Sequence, residues 1–223
     1  MRILLLVAMD KELQLLSDII ENKEEIKIGD KIIKKGKSAN NEIFISKCGI
    51  GKVNSAINAF FLINHLSPDI VINSGVAGGI GLKSGTILIA DKVTYDDVWC
   101  GPGTKYGQAD GCPLFFIPDE NYLNKASKLN KEVNFGLICS GDKFISTPEE
   151  VDIIKSHFPE VKGVDMESAS IAQVCFILQK PFFIMRIISD NPGEGDNSSQ
   201  YSNFWNEAPL RTVEVIKSFI SNL

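Results

Sequence analysis

Apolar runs of strand length alternate with stretches of helical periodicity along the whole chain. Residues 3–8 are continuously apolar, which is typical of a strand covered on both faces, and the segment DIVINS at 69–74, with its apolar centre, is expected to be another buried strand. Asp10 follows the first run and is the expected N-cap of a helix. A second helix is predicted over residues 53–66, ending before Pro68.

The same patterns predict the remaining elements and a fold class. Further strands are expected at residues 27–37, 42–48, 86–94, 134–140 and 181–189. Further helices are expected at residues 121–128, 148–157 and 163–175, and from residue 203 onward. This order predicts an α/β fold: a single-domain, three-layer α/β/α architecture with a mixed central sheet over residues 1–223.

Composition narrows the class of partner and compartment. The chain has 223 residues, 44% of them hydrophobic, and a formal net charge of −5. Nucleic-acid partners usually require a basic face, and no basic amphipathic stretch suggests a membrane surface, so neither partner is expected. The apolar N-terminal run is short and an acidic residue follows it at once, so we expect no targeting segment. We expect a cytoplasmic protein because the scattered cysteines are typical of reduced thiols.

The cysteines and histidines argue against a metal site. Five cysteines are scattered without CxxC spacing, and His65 and His157 are the only histidines. Buried, reduced thiols explain this pattern better than a zinc site does. We therefore expect no metal and no cofactor.

Three carboxylates stand where chemistry is expected in an α/β sheet, at strand ends and helix starts. They are Glu12, Glu167 and Asp190, and together they form a candidate acid/base set. Two of them have a simpler explanation: Glu12 could favour a helix dipole, and Asp190 could be a turn residue.

The segment GVDMESASIAQVC at 163–175 brackets a methionine with two carboxylates. If both lay on one helix, Asp165 and Glu167 would point about 200° apart. We assign Asp165 to capping or to pairing with Arg186, and Glu167 to a site for a polar ligand. Arg186 lies inside the apolar run PFFIMRIIS, where it requires a partner, Asp165 or Glu167, unless the strand is a solvated edge.

The glycine-rich stretches do not fit nucleotide-binding motifs. SKCGIGKV at 46–53 has Ser46 at the first glycine position of a P-loop and Val53 after the lysine. GVAGGIG at 75–81 does not give GxGxxG. These glycines are better explained by a ligand that lies close to the backbone.

Several motifs together resemble one family. MRILLLVAMDKE, CGIGKVNSA, PDIVINSGVAGG, YGQADGCP, SGDKFI, VDMESASIAQVC and RIISD occur in the order and spacing of bacterial 5′-methylthioadenosine/S-adenosylhomocysteine nucleosidases, of the nucleoside phosphorylase superfamily. The resemblance spans nearly the whole chain. It implies a nucleoside phosphorylase-like domain that cleaves the N-glycosidic bond of an adenosine thioether with water, as a homodimer whose sites are each finished by the neighbour's loop.

The resemblance also implies roles for eleven residues. Glu12 would activate water, and Asp190, positioned with Ser189, would protonate adenine at N7. Glu167 and the Met166 backbone would hold the ribose hydroxyls, while Phe144 would stack on the purine and the Ile145 backbone would bind its edge. The region around the sugar and the water would be lined by Met9, Ile50, Ala77 and Gly78. This division between one acid and one base is that of inverting glycosidases, and it requires Glu12 to stay ionised, which a helix N-terminus favours.

Three alternatives stay open. A phosphorylase would need cations for phosphate, but AMDKE and GVAGG contain no arginine and Lys11 is the only nearby cation. A related nucleosidase would take a different 5′-substituent, such as that of futalosine. A purine-nucleoside-binding protein would have no turnover.

The chain departs from the family pattern in places. Val76 stands where serine is common, and the loops at 95–108 and 191–205 differ, so Tyr201 or Phe204 could supply the lid aromatic. Trp99, Pro113 and Phe115 suit a dimer interface, unless their loop packs on itself.

Overall fold

The computed structural model of the protein describes residues 1–129, 133–207 and 209–223. The strands are β1 (Arg2–Val7), β2 (Glu21–Ile28), β3 (Lys31–Ser38), β4 (Asn41–Lys47), β5 (Ile70–Gly79), β6 (Ile87–Tyr95), β7 (Val133–Ser140), β8 (Val161–Asp165) and β9 (Phe182–Asp190). The α-helices are α1 (Asp10–Leu16), α2 (Lys52–Leu66), α3 (Glu120–Ala126), α4 (Pro148–His157), α5 (Ser168–Ile177), α6 (Asn197–Glu207) and α7 (Pro209–Ser221).

The strands form one mixed sheet in the order β2-β3-β4-β1-β5-β8-β7-β6-β9. β5 pairs with β9 as well as with β8, so β5, β8, β7, β6 and β9 close into a ring. β1 and β4 run parallel to each other, and β1 runs parallel to β5. The ring brings the ends of β5 and β9, which lie far apart in the sequence, side by side.

Helices cover both faces of the sheet, which confirms the predicted fold class. Leu4 and Leu6 of β1 face a core that contains α2 and α5, while Ile3 and Leu5 face a second core that contains α1 and α7. A strand buried on both faces explains why residues 3–7 are apolar without alternation. Within the described ranges, no helix is long and apolar enough to cross a membrane.

The prediction of a helix starting at 163–165 was wrong. These residues end β8, and α5 begins only at Ser168. Gly163 and Val164 pair with Gly79 and Gly78 of β5, so pairing with a distant strand overrides the local pattern. Asp165 is the last residue of β8 and Glu167 directly precedes α5, so the two do not share a helix, and the backbone N–H of Glu167 donates to Oδ1 of Asp165 at 3.3 Å.

Two helix starts also differ from the prediction. The N-cap of α1 is Met9 rather than Asp10, and the Asp10 carboxylate lies 2.7 Å from Nζ of Lys47. The C-terminal segment forms two helices, of which α6 begins at Asn197, earlier than residue 203. The polar sequence NSSQ at the start of α6 concealed its helical character.

Candidate active site

One cavity of about 190 Å³ lies where β1, β5 and β9 end. All eleven residues predicted for the site, from Met9 and Glu12 to Ser189 and Asp190, lie in its wall. The wall also contains residues that the sequence did not single out: Ala8, Asn73, Ser74, Gly75, Lys143, Val164 and Pro192. Asn73 and Ser74 could have been found, since they are the polar residues that end the predicted strand DIVINS; in the structure β5 continues past them to Gly79.

Glu12 reaches back from α1 to the end of β1. Its Oε2 accepts hydrogen bonds from the backbone N–H groups of Ala8, at 2.9 Å, and Met9, at 3.0 Å. The side chain is only 4% exposed, and burial raises its pKa; the charge of Arg186 and backbone N–H groups, including that of Val76, oppose this rise. The expectation that the helix N-terminus holds Glu12 ionised was therefore incomplete, because burial is the larger effect.

Glu167 lies between β8 and α5 and turns its carboxylate into the cavity. Its Oε1 accepts a hydrogen bond of 3.0 Å from the backbone N–H of Gly51, just before α2. Burial raises the pKa of Glu167, the negative charge of Asp165 raises it further, and the Arg186 guanidinium opposes both. Two buried carboxylates of elevated pKa, Glu12 and Glu167, thus share the cavity.

Arg186 is fully buried and its side chain is saturated with hydrogen bonds. Nε donates to Asp165 at 2.8 Å, which confirms the predicted pairing. Nη1 donates to the carbonyls of Asn73 and Met185, and Nη2 donates to Asn73 Oδ1 and to Ser168 Oγ. These bonds use all five N–H donors of the guanidinium group.

Asp190 ends β9 and is 2% exposed. Its Oδ1 accepts a hydrogen bond of 2.6 Å from the hydroxyl of Ser189, and its Oδ2 accepts one of 3.0 Å from Nδ2 of Asn197. Asn197 was not predicted from the sequence, because the helix that carries it was expected to begin at residue 203. Both oxygens of the carboxylate are held from different elements, the first from β9 and the second from α6.

Aromatic side chains line the side of the cavity that α6 covers. The ring centroids of Phe144 and Tyr201 lie 5.9 Å apart with the rings nearly perpendicular, and the Tyr201 hydroxyl lies 3.4 Å from Sδ of Met9. Phe204 does not line this cavity; it is buried beside a smaller one against Leu16 and Thr212. The geometry therefore favours Tyr201 as the lid aromatic.

The cavity can accommodate a planar, polar ligand, and the carboxyl groups in its wall can transfer protons at two separate places. Phe144 and Tyr201 offer flat apolar surfaces, and Glu167 offers an acceptor for hydroxyl groups. Glu12 lies on α1 and Asp190 at the end of β9, so the two carboxylates come from different elements. Among the described residues the wall has two cationic side chains, Arg186 and Lys143, and the latter pairs with Glu150.

Comparisons with known proteins agree with this geometry. A family model described as the phosphorylase superfamily matches residues 2–221. The chain is 36% identical over 231 residues to a 5′-methylthioadenosine/S-adenosylhomocysteine nucleosidase of Lysinibacillus sphaericus, with all of both proteins covered. Its fold is similar to the Streptococcus pyogenes S-adenosylhomocysteine nucleosidase in complex with 5-methylthiotubericidin (TM-score 0.94, 31% identity, covering 100% and 97% of the two chains). It is also similar to a futalosine hydrolase mutant of Helicobacter pylori (TM-score 0.91, 27% identity, covering 100% and 99%).

Proposed function

The chain belongs to the phosphorylase superfamily, and we propose that it hydrolyses the N-glycosidic bond of 5′-methylthioadenosine and S-adenosylhomocysteine, releasing adenine and the thioribose. The observation that carries this proposal is that Glu12, from α1, and Asp190, from the end of β9, line one cavity together with Glu167. Cleavage of a glycosidic bond needs an acid for the leaving group and a carboxylate for water, on opposite sides of the sugar.

Each side chain has a role in this reaction. Asp190 protonates N7 as adenine departs, because adenine leaves poorly as an anion. Glu12 takes a proton from water, and a buried carboxylate of raised pKa is a stronger base than an exposed one. Glu167 and the Met166 backbone hold the ribose hydroxyls. Phe144 stacks on the purine, and the Ile145 backbone binds its edge.

Water rather than phosphate is the acceptor of the sugar. Arg186 has no N–H free, because all five already donate within the protein. Lys143 is exposed at the rim and paired with Glu150, and Lys11 lies outside the cavity, against the ring of Trp205. A phosphate dianion would also meet the buried carboxylates of Glu12 and Glu167, which repel it.

The 5′-substituent occupies the part of the cavity near Met9, Ile50 and Tyr201. The similarity to the H. pylori futalosine hydrolase mutant indicates that the fold alone does not select this substituent. The proposed preference for methylthioadenosine and S-adenosylhomocysteine rests on the more similar relatives.

A homodimer would complete the cavity. Val53, Ile57 and Phe60 recur at helical spacing on α2 and are exposed, and Ile50, at the cavity wall, continues this apolar surface. Trp99, within the 95–108 loop, is exposed, whereas Phe115 packs within its own chain against Phe158. We expect Ile57→Glu to shift the protein from dimer to monomer in light scattering and to raise KM, while Lys155→Glu on α4 changes neither. A wild-type monomer would contradict this part of the proposal.

The proposed compartment is the cytoplasm. All five cysteines are free, and Cys48, Cys139 and Cys175 are buried. Free thiols are typical of a reducing compartment.

The function is tested by assaying free base from methylthioadenosine, S-adenosylhomocysteine, futalosine, adenosine and inosine, with and without phosphate. We expect adenine from the first two, with no dependence on phosphate. Asp190→Asn and Glu12→Gln should each abolish release while leaving circular dichroism unchanged. Asp10→Asn, an exposed acid in the same helix as Glu12, is the matched control and should retain activity. A phosphate requirement would indicate a phosphorylase, and tight binding without turnover would indicate a binding protein.

A further inference from the structure

One side chain, that of Asn197, joins α6 to the predicted acid. Asn197 is the first residue of α6 and is 3% exposed. Its Nδ2 donates to Oδ2 of Asp190 at 3.0 Å and to the backbone carbonyl of Ile145 at 3.1 Å. A single amide group therefore links the acid to the backbone that is proposed to bind the purine edge.

The amide lies behind the acid rather than in the cavity. Asp190 and Ile145 line the cavity wall, and Asn197 does not. The Ser189 hydroxyl holds the other oxygen of Asp190 from the side of β9. The two donors together fix rotation of the carboxyl group about its Cβ–Cγ bond, and the donor at Oδ2 depends on the position of α6.

α6 is itself held to the end of β9 and to the opposite side of the cavity. Oε1 of Gln200 accepts a hydrogen bond of 3.0 Å from the backbone N–H of Asn191, the residue after Asp190. Tyr201 lies four residues after Asn197, on the same face of the helix, and its hydroxyl contacts Sδ of Met9. When α6 is in this place, Asn197 is at the acid and Tyr201 is over the cavity.

We propose that Asn197 is a positioning residue for the general acid, which orients the Asp190 carboxyl toward the departing base only when α6 is seated. The inference rests on the proposed function and assigns a residue to its acid step. Asparagine suits this place because one NH₂ group carries two donors, one for a carboxylate and one for a carbonyl. Aspartate has the same shape but, when ionised, has no donor and repels the Asp190 carboxylate, and alanine has neither the shape nor a donor.

The test compares Asn197→Ala and Asn197→Asp with the control Asn203→Ala, an exposed asparagine of the same helix. The substrates are methylthioadenosine and the p-nitrophenyl glycoside of 5-methylthioribose, whose phenolate departs without a proton. General acid catalysis contributes about 10²- to 10⁴-fold, so misorienting the acid should lower kcat for methylthioadenosine by about 10- to 100-fold. The rate with the p-nitrophenyl glycoside should change less than about threefold, and Asn203→Ala should match the wild type with both substrates.

The pH profile of kcat with methylthioadenosine is a second measurement. The limb that reports the acid should move in Asn197→Ala and stay in place in Asn203→Ala. If Asn197→Ala does not fold, as judged by its thermal midpoint, Asn197→Asp keeps the side-chain shape and carries the comparison.

Three results would overturn the inference while the proposed function stands. They are an unchanged or higher rate with methylthioadenosine in the Asn197 variants, equal losses with both substrates, and an unmoved pH profile. Equal losses would indicate that Asn197 serves only the closure of α6, and a higher rate would indicate that its amide occupies the place of the ligand. A wild-type protein that releases no adenine would overturn the proposed function and this inference together.

Discussion

Gly75 lies against the proposed base, so that adding one methyl group there should displace the carboxylate of Glu12. A Cβ built at Gly75 would stand 2.7 Å from Oε1 of Glu12, whereas ordinary van der Waals contact begins at 3.4 Å. The carboxylate must therefore move by about 0.7 Å, and misplacements of about 1 Å can cost about 100-fold in rate. Gly75→Ala should lower kcat by about 10- to 100-fold, equivalent to about 1.4 to 2.7 kcal/mol of transition-state stabilisation.

The assay is adenine release from methylthioadenosine at saturating substrate, with circular dichroism and the thermal midpoint to establish that the variant folds. Gly75→Ala is also made in the Glu12→Gln background, where the residual rate is measured at high protein concentration. If the methyl group acts through Glu12, it should cause no further loss there. A rate for Gly75→Ala within about threefold of wild type, or the same fold-loss in the Glu12→Gln background, would refute the reasoning.

Two further predictions concern the buried charges. The raised pKa of Glu167 means that the folded protein binds the proton of this carboxyl group more tightly than the unfolded chain does. The resulting contribution to the free energy of unfolding is therefore full at low pH and is lost as the pH rises through the folded pKa. In thermal melts from pH 5 to 8, the midpoint of Glu167→Gln should rise relative to that of the wild type, and a constant difference between the two midpoints would contradict this. Asp165→Asn leaves Arg186 buried and unpaired, which should lower the free energy of unfolding by about 3 to 5 kcal/mol in urea titrations. Asp18→Asn, in the exposed pair with Lys23, should leave the unfolding midpoint unchanged, and equal effects of the two substitutions would count against the reasoning.

Much of the fold and of the candidate site could be predicted because the signals are local. The apolar runs of β1, β5 and β9 gave the strands, and the polar residues at their ends gave Glu12 and Asp190. The cost of burying a charge predicted a carboxylate partner for Arg186, with Asp165 and Glu167 as the candidates, and the structure shows the pair with Asp165.

The remaining features depend on contacts between distant segments. β8 is a strand because its last residues pair with β5 and the strand pairs along its length with β7. Neither pairing has a signature in the sequence VKGVD. Asn197 was missed because its role is defined by Ile145 and Asp190, which lie elsewhere in the chain. Such residues become visible only when the chain is folded.

The saturated guanidinium of Arg186 has a consequence for the direction of the reaction. A sugar transferred to phosphate keeps much of the energy of the broken bond, and the product can re-form the nucleoside. A sugar transferred to solvent cannot return at cellular concentrations. By directing every donor of Arg186 inward, onto Asp165, Asn73, Met185 and Ser168, the chain makes removal of the purine a one-way step that does not vary with the phosphate level of the cell.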